Sequence, residues 1–282
     1  QQTELKEKIS EIKNIPSENI FLGNGSDEII DVLMRTVCNP GIDNIITYSP
    51  SYSMYEVSAE INDVKIRKLD LANDFLPDIG KTLLLADSNT KLLFLCTPNN
   101  PTGKTIPLSM IEEFCNRFKG IVIVDEAYID FCNIASAITL LNKYPNLFVL
   151  QTLSKAYGMA GLRLGMAFAS TDIINVLNKV KPPYNISCMS QATALEVLNN
   201  QPKTKEEVKL LKNEREKLFE YLTESGLFEN IYPSDANFIL VTTPDYMNIY
   251  NFLLKNKVVV RKRDIPPLIA NGLRISVGTP DE

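Results

Sequence analysis

The chain has 282 residues, 45% of them apolar and 22% charged, with a formal net charge of −5. That balance suits one large or two unequal folded units, and it excludes a disordered chain, a collagen-like repeat and a basic nucleic-acid-binding surface. There is no histidine, so Ser-His-Asp triads, Cys-His pairs and His-ligated metals are excluded, and chemistry must come from Lys, Asp, Tyr or a cofactor.

No run of about 18 apolar residues is present to span a bilayer, and the opening QQTELKEKIS is too polar for a signal-peptide core, so a cytoplasmic address is expected. The five cysteines, Cys38, Cys96, Cys115, Cys132 and Cys188, are widely spaced and lack a C-x-x-C pair. All five are expected to be reduced packing residues, not disulfides or metal ligands. The chain starts without methionine and stops at GTPDE just after a strand-like run, which suggests sequence missing at both ends.

In chain order, the first signal is Gly23-Asn24-Gly25-Ser26-Asp27-Glu28, a glycine-bearing turn that opens an amphipathic helix, Ser26–Val37, with Ile29, Ile30, Leu33 and Val37 on one face. Such a start offers unpaired N–H groups to an anion at Ser26 and Asp27, or it is an ordinary helix start capped by one of those side chains. A strand is expected at residues 45–48 and another at 92–96. The second runs into Cys96-Thr97-Pro98-Asn99-Asn100-Pro101-Thr102-Gly103, either a tight bend or a rigid mount for an asparagine amide. A helix at 108–118 puts Ile111, Phe114, Cys115 and Phe118 on one side.

The strand expected at 121–124 ends in Asp125-Glu126-Ala127-Tyr128. A buried carboxylate there needs a positive partner. A protonated pyridine nitrogen would serve, as would a magnesium ion in a nucleotide-binding protein, although no Gly-x-x-x-x-Gly-Lys-[Ser/Thr] run is present. Strands at 148–152 and 165–169 bracket Thr152-Leu153-Ser154-Lys155-Ala156-Tyr157-Gly158-Met159-Ala160-Gly161-Leu162-Arg163-Leu164-Gly165. A lysine flanked by hydroxyls, with an arginine eight residues later, suits an amine nucleophile beside a phosphate cup. Helices at 187–199 and 203–225 follow, then strands at 237–241, 258–261 and 273–277. The alternation predicts an α/β fold with a mostly parallel central sheet and flanking helices (residues 1–200), plus a smaller C-terminal α+β unit (201–282).

Together, in this order, these motifs resemble the pyridoxal-phosphate (PLP) aminotransferases of fold type I, and within them the histidinol-phosphate aminotransferase family. The resemblance runs from Gly23 to Gly278, and Lys181-Pro182-Pro183-Tyr184-Asn185-Ile186-Ser187 is similar to the fungal members. It implies PLP as cofactor, with Lys155 as its Schiff-base lysine, Asp125 as partner of the pyridine nitrogen, and Tyr128 and Asn100 bonding the ring hydroxyl. Tyr52 would stack on the ring; on its own it reads as a core tyrosine at a helix start. Ser26, Asp27, Thr152, Ser154 and Arg163 would grip the cofactor phosphate. Arg274 would bind a substrate acid group and Arg261 the substrate phosphate, with Arg263 on the same strand face as a competitor for that role. The resemblance further implies L-histidinol phosphate and 2-oxoglutarate as substrates, a homodimer, and an N-terminal arm before Gln1 and a terminal helix after Glu282. An aromatic-amino-acid aminotransferase, a phosphothreonine-type decarboxylase and an inactive paralogue share the same cofactor motifs.

Overall fold

The structure is a computed structural model and describes residues 2–281. Its elements are α1 (Thr3–Lys13), β1 (Ile20–Asn24), α2 (Ser26–Val37), β2 (Asn44–Ser49), α3 (Met54–Ile61), β3 (Lys65–Asp70), α4 (Ile79–Leu85), β4 (Thr90–Cys96), α5 (Leu108–Arg117), β5 (Ile121–Asp125), β6 (Leu147–Thr152), β7 (Leu164–Ala169), α6 (Thr171–Val180), α7 (Cys188–Asn199), α8 (Gln201–Ser225), β8 (Asn230–Tyr232), β9 (Phe238–Thr242), α9 (Tyr246–Lys255), β10 (Arg261–Ile265) and β11 (Ile269–Ser276).

A seven-stranded sheet has the order β1-β7-β6-β5-β4-β2-β3. Its strands β3, β2, β4, β5 and β6 pair in parallel, while β7 runs antiparallel to both β6 and β1. The central strands are apolar on both faces because helices cover both. On β4, Leu93 and Leu95 enter one core, and Leu92, Phe94 and Cys96 enter the other. Parallel strands so arranged bring their carboxyl ends to one edge, where ligands of open α/β sheets bind. Here that edge carries Cys96, Asp125 and Thr152.

A second, antiparallel sheet has the order β10-β11-β9-β8. On β9, Phe238 and Leu240 join the large core, while Ile239 and Val241 join a small one with Val260 and Leu273. The period-two alternation therefore faces the small sheet toward the large one. Helix α8 spans both, with Val208 and Leu211 against the large core and Leu218, Phe219 and Leu222 against the small one. Polar ties reinforce the join: the Thr105 hydroxyl donates to Asp235 Oδ2 at 2.6 Å, the Asp235 N–H donates to the Gly103 carbonyl at 2.9 Å, and Arg215 donates to the Ala236 carbonyl at 3.0 Å.

Two sequence expectations are corrected. The β-branched run at 258–261 is not a strand: Val258 and Val259 are exposed, Val260 fills the small core, and β10 starts only at Arg261, where pairing with β11 begins. The cysteines are not all packing residues either. Cys38, Cys96 and Cys115 are buried, Cys132 is half-buried, and Cys188 is exposed at the start of α7, where the helix turns that position to solvent. Among the described residues, no helix is long and apolar enough to cross a membrane.

Candidate active site

At the carboxyl edge of the large sheet, beneath the small one, lies a cavity of about 350 Å³. All twelve residues singled out in the sequence line it: Ser26, Asp27, Tyr52, Asn100, Asp125, Tyr128, Thr152, Ser154, Lys155, Arg163, Arg261 and Arg274, together with Arg263, Cys96, Ala127 and Ala160. They come from seven separate stretches of chain, so the convergence is a property of the fold and not of any one motif.

At one end is a cup suited to an anion. The N-cap of α2 is Gly25, and no side chain caps the helix. Neither Ser26 nor Asp27 closes its own helix start, which leaves the first-turn N–H groups available. The Asp27 carboxylate is engaged elsewhere, accepting from the Tyr52 hydroxyl at 3.0 Å and from Arg163 Nη2 at 3.2 Å. Arg163 has φ 53° and ψ 51°, a left-handed conformation that few non-glycine residues adopt, and its guanidinium lies against Gly25. A Cβ on Gly25, at φ +84°, would stand 2.6 Å from Arg163 Nη2, and one on Gly165 would stand 2.5 Å from the Ser26 nitrogen. Two absent side chains thus let β7 and α2 meet closely enough to form the cup. Opposite, Thr152 Oγ1 lies 2.9 Å from Ser154 Oγ and accepts from the Ser154 N–H at 3.1 Å.

Beside the cup, Lys155 points across the Tyr128 ring, its Nζ 5.3 Å from the ring centroid. It has no hydrogen-bond or ion-pair partner among the described residues. Its pKa is lowered, first by burial and then by Arg274, against the opposing pull of Asp125 and Asp27. A lysine so placed reaches its neutral, nucleophilic form more readily than a solvated one.

Asp125 is 3% exposed. Burial raises its pKa, while the Tyr55 hydroxyl and the Ala127 N–H hold it back. Those donors lie 2.6 Å from Oδ2 and 3.1 Å from Oδ1. Next to it Glu126, also buried, accepts from the Ser136 hydroxyl, from the Ala137 N–H at 2.6 Å and from Gln151 at 2.8 Å. Its pKa is pushed up to about 7 by burial.

The roof is cationic. Arg261 and Arg274 are directly opposed across β10 and β11. Arg274 Nη1 donates to Asn100 Oδ1 at 2.6 Å, and its guanidinium sits 4.8 Å from the Phe238 ring centroid. The Arg274 Nε is buried without a partner among the described residues. Arg263 is half-buried in the same roof, its pKa lowered by burial and by Arg274 and Arg261. The asparagine that prolines lock in place is Asn99. It is 3% exposed and donates to the Pro50 carbonyl and to Thr102, both at 3.0 Å, which leaves Asn100 to face the cavity.

Sequence reasoning missed Tyr55 and Phe238. Tyr55 lies three residues after Tyr52, in the first turn of α3, and its ring meets that of Tyr52 edge-on. Nothing local in the sequence marks Phe238 apart from the other apolar residues of β9.

The residues fit PLP: a buried carboxylate without an ion-pair partner among the described residues, an unpaired lysine, a cup that two Cβ atoms would fill, and arginines in the roof of the same cavity. This is the geometry of an aminotransferase, and the chain belongs to the class I and II aminotransferases, whose family description "Aminotransferase class I and II" it matches over residues 1–282. It is similar to the histidinol-phosphate aminotransferase of Parabacteroides distasonis, 47% identical over 281 residues, which are 100% of this chain and 81% of the relative. That of Flavobacterium johnsoniae is 45% identical over 282 residues, again 100% and 81%. In fold it is similar to the histidinol-phosphate aminotransferase of Sinorhizobium meliloti solved in complex with pyridoxal-5'-phosphate, with a TM-score of 0.89 at 24% identity, covering 98% of this chain and 77% of that one.

Proposed function

We propose that the chain transfers an amino group between L-histidinol phosphate and 2-oxoglutarate, with PLP bound through Lys155. One observation carries the reading: a single cavity presents an unpaired, partly desolvated lysine, a buried aspartate and an anion cup on one side, and three arginines on the other. The identity with relatives named for this reaction supports the choice of donor.

When bound, PLP supplies an electron sink into which the substrate's Cα–H bond can release its electrons. The α2 N-terminus, Ser26, Thr152, Ser154 and Arg163 would hold its phosphate. Asp125 would keep a proton on the pyridine nitrogen, Tyr128 and Asn100 would bond the ring hydroxyl, and Tyr52 would stack on the ring. Lys155 Nζ would hold the cofactor and is the base placed to take the proton from the substrate carbon. Arg274 binds the phosphate of one substrate and a carboxylate of the other, since a planar guanidinium pairs with both. Arg261 adds charge for the phosphate.

Residues 1–200 form the cofactor-binding unit and 201–282 the unit that roofs it, with α8 shared. The working form is a homodimer in the cytoplasm, measurable as twice the chain mass in solution. A kinship nearer the fungal members rests on the run 181–187, which connects α6 to α7; the relatives above are bacterial.

The test is to load the chain with PLP, watch the visible absorption band of the lysine-bound cofactor, and add L-histidinol phosphate without any keto acid. The band is expected to disappear as the amine form accumulates, and 2-oxoglutarate is expected to restore it with formation of glutamate. Release of carbon dioxide, or a response to phenylalanine but not to L-histidinol phosphate, contradicts the proposed donor.

A further inference from the structure

Asp125 needs its negative charge to hold a proton on a ring nitrogen, and its burial opposes that charge. One side chain counters the opposition. Tyr55, in α3, is 1% exposed, and its hydroxyl donates to Asp125 Oδ2 at 2.6 Å. Its ring stacks on Phe94 of β4, with centroids 4.5 Å apart and planes at 19°. Its edge meets Tyr52 at 5.4 Å and 80°. A phenylalanine would satisfy both ring contacts. The buried hydroxyl therefore has no packing purpose and would carry a desolvation cost without an acceptor. The acceptor is Asp125, and among the described residues the only other titratable side chain against the hydroxyl is the Cys96 thiol, itself the cross-strand neighbour of Asp125.

We propose that Tyr55 is a positioning residue of the reaction: its hydroxyl fixes Asp125 Oδ2 and keeps that carboxylate charged for the pyridine nitrogen it would pair with, while its ring braces Tyr52. The inference rests on the proposed PLP function. The remaining charged groups facing Asp125 are Asp27 from α2, which works against its charge, and Lys155 from the turn after β6, which works for it. Neither lies within hydrogen-bond reach, so among the described residues Tyr55 and the Ala127 N–H are its anchors.

The experiment loads wild-type chain and Tyr55→Phe with PLP carrying an isotopically labelled pyridine nitrogen, and reads that nitrogen by NMR alongside kcat and KM. Without the hydroxyl, Asp125 becomes more basic and draws the shared proton away from the ring. The nitrogen signal is expected to move toward that of an unprotonated ring, kcat to fall about ten-fold, and the donor KM to stay within about two-fold. In an Asp125→Asn background, Tyr55→Phe is expected to change the signal no further. A ring-fluorinated tyrosine at position 55 is a stronger donor of the same shape, and is expected to move the signal the opposite way. An unchanged nitrogen signal in both position-55 variants overturns the inference, as does an equal change in the Asp125→Asn background. A wild-type chain that takes up no PLP sinks the proposed function itself, whereas a wild type that loads and reacts beside an indifferent Tyr55→Phe sinks only the role of Tyr55.

Discussion

The anion cup depends on two atoms that are not there. Gly25 and Gly165 leave room for the Arg163 guanidinium and for the α2 start, and Gly25 also holds a positive φ. Gly25→Ala is expected to push Arg163 off the cup and lower the affinity for PLP by about ten-fold or more, with about 1–3 kcal/mol lost in stability from the overpacking. Fluorescence titration of the cofactor and denaturant unfolding measure the two effects separately. At this scale the sequence was legible wherever chemistry restricts residue type. A lysine between hydroxyls, or an aspartate closing an apolar strand, stands out without knowledge of the fold. Tyr55 did not stand out, because its role comes from an acceptor seventy residues away.

Among elements, the end of β5 carries two buried acids with different work. Glu126 ties β5 to residues 136 and 137 and to Gln151 of β6. Its pKa is raised from 4.5 to about 7, so the folded chain binds this proton more tightly than the unfolded one. The stability it contributes is full below 4.5 and is lost as pH rises through about 7. Unfolding curves across that window are expected to show a fall of about 3 kcal/mol from this group, and Glu126→Gln is expected to flatten it. On the antiparallel pair β10 and β11, Arg261→Ala is expected to raise KM for the phosphate-bearing donor about ten-fold while sparing 2-oxoglutarate. Arg274→Ala is expected to impair both substrates by about ten-fold or more in kcat/KM.

Buried parallel strands were readable as apolar runs, whereas β3, with the sequence KIRKLD, was not, because it is the sheet's edge and keeps its charges in solvent. The same physics misplaced the last strand pair. Val258 and Val259 have strand-forming side chains but no partner strand, and the strand that does pair is the charged run Arg261–Ile265.

Over the whole molecule, the site exists only when the small sheet is seated on the large one. Lys155 and Asp125 belong to one, Arg261 and Arg274 to the other, and the sequence could supply the residues of each but not their approach. The Thr105–Asp235 hydrogen bond and the Arg274–Asn100 hydrogen bond cross that join. Asp235→Ala is expected to cost about 1–2 kcal/mol of stability, and to lower kcat/KM for both substrates while PLP still binds, since the residues proposed to hold the cofactor lie on the large sheet's side of the cavity.

The account's central claim is that Lys155 is the residue to which the cofactor attaches. The direct measurement is to reduce the PLP-loaded chain with borohydride, digest it, and find the peptide that carries the added pyridoxyl phosphate mass. The label is expected on Lys155 alone, and to be absent from Lys155→Ala prepared in the same way. A label on any other lysine, or an unlabelled Lys155 in a chain that has taken up cofactor, would contradict it.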